Sequence, residues 1–66
     1  MNNYEKYANE HMRVHDLSLA AFYRKIGIGE NNHRHYIKGV LPHIKTAYKV
    51  SKVLKVSVWE LWGLEE

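Results

Sequence analysis

The chain contains no cysteine and a single proline, Pro42. Without thiols, disulfides, thiolate metal sites and cysteine nucleophiles are excluded. Its longest apolar runs are a few residues, far short of the roughly 20 that a membrane-spanning helix needs. The opening MNNYEKYANEH is polar and lacks the charged start and apolar stretch of a secretory signal, so a cytoplasmic, soluble domain is expected. No stretch alternates apolar and polar residues for long, and no repeat or low-complexity segment is present, so strands have no support. What remains is a chain of 66 residues, 45% hydrophobic and 26% charged. That is a globular composition with room for one domain, 1–66, and a small core.

Charge is unevenly distributed. Residues 1–23 carry a net −1, residues 24–55 a net +7, with Glu30 the lone acid among eight Lys and Arg, and residues 56–66 a net −3. A basic middle between acidic ends suggests a surface that faces a polyanion.

Five short helices are expected. Tyr4, Tyr7, Ala8, His11 and Met12 recur at helical steps within 3–15. Ser18 is placed to cap a second helix that Gly27 closes in the left-handed conformation. Gly29 opens a third helix, Glu30 to Lys38, which Gly39 ends in the same way. His43 precedes a fourth, with Ile44, Ala47, Val50, Ser51 and Leu54 as its apolar face and Lys45, Lys49 and Lys52 opposite. Ser57-Val-Trp-Glu60 reads as a capping box for a fifth, in which serine and glutamate satisfy each other's free amides, and Gly63 ends it.

Two short helices joined by a three- to four-residue turn containing glycine have helix-turn-helix geometry. The spacing Phe22-(x4)-Gly27-Ile28-(x7)-Tyr36-(xx)-Gly39 places such a unit at about 18–38. Together with LSLAAFYRKIGI, YIKG and LPHIKTAYKVSKVLKVSVWELW, it makes Asp16 to Trp62 resemble the XRE-type helix-turn-helix domain of lambdoid repressors and Cro. The resemblance implies an all-α, five-helix, lambda-repressor-like DNA-binding domain. It also implies a small Cro-like transcriptional regulator of phage or mobile-element type, reading operator DNA with the third helix.

Carried over by position, Glu30, Asn31, Asn32, Arg34 and His35 fall where base edges are contacted. Asn suits adenine, Glu the cytosine amine and Arg guanine. Ser18, Gly29, Lys38, His43 and Lys45 fall where phosphates are approached, consistent with the anion preference of helix N-termini. One module reads few base pairs, so a homodimer on a palindromic duplex is expected. Trp59, Trp62 and Leu64 are the candidates for that contact, with at least one tryptophan in the core.

Four departures from the family pattern stand out. Tyr23 replaces a small residue and His33 an Ile or Val at neighbouring positions, which implies either a phenol–imidazole pair or a changed angle between the second and third helices. Leu19 replaces a phosphate-contacting glutamine. Met12 and Ile37 stand where an Arg–Glu pair is common, an exchange of ion pair for apolar contact that is often harmless. Glu30 is a mild objection to nearby phosphate. These features keep a second reading in play: a relative that binds and modulates a partner repressor (an antirepressor) without specific DNA binding.

Other signals are weaker. His11 and His15 have metal-ligand spacing but no evident third ligand, so no metal site is expected. Gly27-Ile28-Gly29 lacks the strand and third glycine of a dinucleotide loop. No nucleophile–base constellation suggests an enzyme, and no cofactor or effector pocket is legible. Tyr4, Tyr7 and Tyr48 are expected in core and rim, Lys49 and Lys52 in solvent.

Overall fold

Helix ends need residues that satisfy free backbone groups or accept a positive φ, and this chain supplies them at regular intervals. The computed structural model describes residues 2–63, all of whose regular elements are helical. They are α1 (Tyr4–Val14), α2 (Leu19–Ile26), α3 (Glu30–Ile37), α4 (Ile44–Leu54) and α5 (Val58–Trp62). Ser18 Oγ accepts from the Ala21 N–H at the start of α2. Gly27 closes α2 at φ 72, and Gly63 closes α5 at φ 64. After α3, Gly39 takes φ 106, and the Val40 N–H donates back to the His35 carbonyl at 3.0 Å. Two helices end without glycine: Asp16 (φ 52) follows α1 and Lys55 (φ 59) follows α4.

The expected capping box at α5 forms only in part. Ser57 Oγ accepts from the Glu60 N–H at 3.2 Å, but the Glu60 carboxylate turns to α1 and accepts from the Tyr7 hydroxyl at 3.0 Å. That bond is the main reason the Tyr7 phenol is held above its ordinary pKa. The carboxylate thus ties two helices together instead of closing its own.

α1 lies against α3, α4 and α5; α2 packs on α4, and α4 on α5. Tyr4 is fully buried at the centre. Its ring stacks on Trp62 with centroids 5.9 Å apart and meets Tyr36 and His33 edge-on. Offset and edge-to-face contacts of this kind are the favoured aromatic geometries. Ala8, Phe22, Ile26, Val50 and Leu61 are fully buried with Tyr4, and Ile28 is buried at the α2–α3 turn. Met12 and Ile37 both pack against this core. Asn3 closes the bundle: its N–H donates to the Leu61 carbonyl and its side-chain amide to the Glu60 carbonyl. None of the described helices is long and apolar enough to cross a membrane.

Two expectations are corrected. Ile44 does not join the buried face of α4 but is 56% exposed, because it occupies the first helical position, beyond the reach of the core that Ala47, Val50 and Leu54 enter. Tyr48 is likewise exposed, one residue round the helix from Ala47.

Candidate nucleic-acid interface

α3 is held from beneath by two buried side chains, His33 and Tyr36, with Ile37 half-buried beside them. At 3.6 residues per turn, the stripe opposite runs through Asn31, His35 and Lys38. Glu30 and Arg34 flank it on one side and Asn32 on the other. All six side chains are exposed. The buried and exposed stripes are thus cleanly separated, and His33 and His35 fall on opposite sides.

Glu30 and Arg34 are brought together: the guanidinium donates to the carboxylate at 2.7 Å, one helical turn apart. Both side chains are more than half exposed, so the pair contributes little to stability. Its effect is to aim Arg34 along the helix toward its N-terminus, where Glu30 also complements the helix dipole.

The candidate phosphate contacts sit at helix ends. Ser18 is the N-cap of α2, Gly29 the N-cap of α3 and His43 the N-cap of α4, with Lys45 in the first turn of α4 and Lys38 at the C-cap of α3. All five are exposed. Ser18 Oγ accepts from Ala21, leaving its own proton to donate. A side chain at Gly29 would meet open space, whereas at Gly27 a Cβ would come within 3.0 Å of Lys49 Nζ. Lys49 is exposed, as expected, and its ammonium lies beside the C-terminal end of α2, where the helix dipole is negative.

The Tyr23–His33 question resolves toward a different partner. The two rings meet edge-on at 5.2 Å, but the hydrogen bond to His33 Nδ1 is made by the Tyr4 hydroxyl, at 2.7 Å. His33 is thereby pinned to α1. Burial holds its pKa below the ordinary 6.5, with Glu5 opposing weakly, so the ring is neutral at physiological pH. Burial also pushes the Tyr4 and Tyr36 phenols up, with the neighbouring Tyr36 and Tyr23 adding to the shift at Tyr4. Nothing local in the sequence links residue 4 to residue 33; the nearest signal was the placement of Tyr4 on the apolar stripe of the first helix.

The three proposed interface residues divide. Trp59 is 47% exposed, Trp62 is buried against Tyr4, and Leu64 lies outside the described residues. Trp62 is corrected to a core residue: in so short a helix only one face reaches the bundle, and Leu61 and Trp62 occupy it. Sequence reasoning missed the apolar neighbours of Trp59. Ile44, Tyr48, Val58 and Trp59 line one shallow groove, and Ile44 and Val58 also line a second with Leu41 and Pro42.

The chain matches no protein-family model, no curated protein and no solved structure.

Proposed function

We propose that this protein is a helix-turn-helix DNA-binding regulator of the small, Cro-like kind, with α2 and α3 forming the unit and α3 entering the major groove. One observation carries the reading: α3 is locked from below by His33 and Tyr36 while Glu30, Asn31, Asn32, Arg34 and His35 all face solvent. A helix with so little apolar surface of its own is stabilised by its neighbours, and its outward face is free for base edges. Lys38 and Lys45, with the helix ends at Ser18, Gly29 and His43, supply phosphate contacts. The Glu30 objection is softened by the ion pair, because Arg34 offsets the carboxylate.

A second copy of the chain completes the complex. Leu41, Ile44, Tyr48 and Trp59 are each about half exposed. They offer knobs and shallow grooves on one surface, the self-complementarity a two-fold interface requires. Their exposed area is on the order of 400 Å² per copy, so a pair buries somewhat under the ~1,000 Å² of a stable complex. The dimer therefore forms on DNA rather than ahead of it.

The experiment is fluorescence anisotropy of labelled duplex from the region upstream of the protein's own gene, titrated at two salt concentrations with unrelated duplex as competitor. Specific binding is expected, with log K falling against log salt at a slope of about −3 to −4 for two lysines per copy. Weak binding displaced equally by any duplex would overturn the proposal. It would favour the protein-binding modulator, the reading to which Leu19, exposed at the start of α2, also lends itself.

A further inference from the structure

A groove of about 530 Å³ lies away from the outward face of α3, between α1, the end of α2 and the corner where α4 turns into α5. Its walls are apolar, built from Val14, Val53, Leu54 and Val56. Its polar groups are the imidazoles of His11 and His15 and the ammonium groups of Lys25 and Lys55, against one lining carboxylate, Glu10, and the Tyr7 phenol, whose proton is donated to Glu60. The ion pair found among the described residues, Arg34–Glu30, is elsewhere. The imidazoles of His11 and His15 lie 4.3 Å apart, and His11 Nε2 is shut off from water with no hydrogen-bond partner.

Two histidines one turn apart would suit a metal ion, but the neighbouring lysines oppose one. Burial, then Lys25, His15 and Lys55, hold the His11 pKa down, so these groups act on a common space with the same sign. That field repels a cation and attracts an anion. The backbone adds an independent observation. Gly27, Gly39 and Gly63 take the positive φ after α2, α3 and α5 and Asp16 takes it after α1, whereas after α4 the same conformation falls to Lys55. Lysine gains nothing from the left-handed region, which Gly, Asn and Asp tolerate better, so a strained backbone here carries an ammonium to the groove.

We propose that this groove is a binding site for a small amphipathic anion, its apolar body against Val14, Val53, Leu54 and Val56 and its phosphate or carboxylate held by Lys25, Lys55 and His15. The volume fits a small organic ligand. The site shares no residue with the outward face of α3, so it stands whether or not the chain binds DNA.

The test is an amide-resolved NMR titration of the whole protein with phenyl phosphate, benzoate, inorganic phosphate and neutral benzyl alcohol. Saturable shifts in the millimolar range at Val14, His15, Lys25, Lys55 and Val56 are expected with phenyl phosphate or benzoate, and the tighter of the two names the head group. Inorganic phosphate and benzyl alcohol should each bind more weakly, lacking one half of the recognition. Lys55→Gly relieves the backbone while removing the ammonium, so it should fold at least as well and bind about tenfold more weakly, the loss expected for one charge-assisted contact. No saturation at these amides, benzyl alcohol binding as tightly as the anions, or unchanged affinity in Lys55→Gly would each overturn the proposal.

Discussion

Tyr4→Phe removes a single oxygen from the centre of the bundle and leaves every ring contact in place. The hydroxyl is the partner of His33 Nδ1 at 2.7 Å, in a site where Tyr4 has no exposure and His33 only 6%. Deleting it strands the imidazole nitrogen, and a buried unsatisfied group costs about 1–3 kcal/mol. In a domain of this size that lowers Tm by at least about 4–8 °C. His33→Leu should cost a comparable amount by stranding the phenol. The double variant Tyr4→Phe/His33→Leu removes both polar partners and should lose clearly less than the sum, with a coupling energy of about 1 kcal/mol or more. Guanidinium denaturation followed by helical circular dichroism measures all four proteins. pH supplies an independent check. His33 is buried neutral with a depressed pKa, so the unfolded chain binds more protons and stability falls as pH drops below about 6.5. His11 is depressed in the same sense, so His33→Leu should flatten that slope without abolishing it. Single variants that add without coupling, or a Tyr4→Phe protein within about 0.5 kcal/mol of the parent, would refute the reasoning.

Asn31→Ala, at the middle of the exposed stripe of α3, should weaken duplex binding by about 1–3 kcal/mol and leave helical content unchanged, as anisotropy and circular dichroism would show. Glu30→Gln should raise affinity for any duplex by removing a repelled charge, while helix stability drops by no more than about 0.5 kcal/mol. Gly27→Ala should destabilise by more than about 1 kcal/mol because φ is +72, while the neighbouring Lys49 Nζ is free to move aside, whereas Gly29→Ala should be nearly silent in thermal melts. Trp59→Ala should leave Tm almost unchanged but lower the cooperativity of binding to a two-half-site duplex.

The caps, the turns and most of the core were legible because each depends on residues a few positions apart. Ser18, Gly27, Ser57 and Gly63 act within one helical turn, and the apolar steps of α2 and α4 point the same way locally as the packed bundle does. Distance in sequence marks where legibility stopped. The bond from Tyr4 to His33 and the bond from Tyr7 to Glu60 depend on how α1 lies across the other helices, which no local pattern encodes. Ile44 misled because periodicity gives the face of a helix but not how far along it the core extends. Trp59 and Trp62 were equivalent by composition; only the single buried face of α5 separates them. On α3, the residues that the resemblance marks are exposed, and their order, with Asn31 and His35 central and Asn32 lateral, follows from the buried positions of His33 and Tyr36.

The ties from Asn3 to α5 bear on how the chain is made. Asn3 leaves the ribosome well before its partners, the carbonyls of Glu60 and Leu61, the nearer of which lies 57 residues on. Until Trp62 clears the exit tunnel, Tyr4 also lacks the indole face it stacks on. The nascent chain must therefore hold this face of α1 unfinished until α5 has been made. The seam between α1 and α5 is then the last of the contacts that α1 makes with the helices following it.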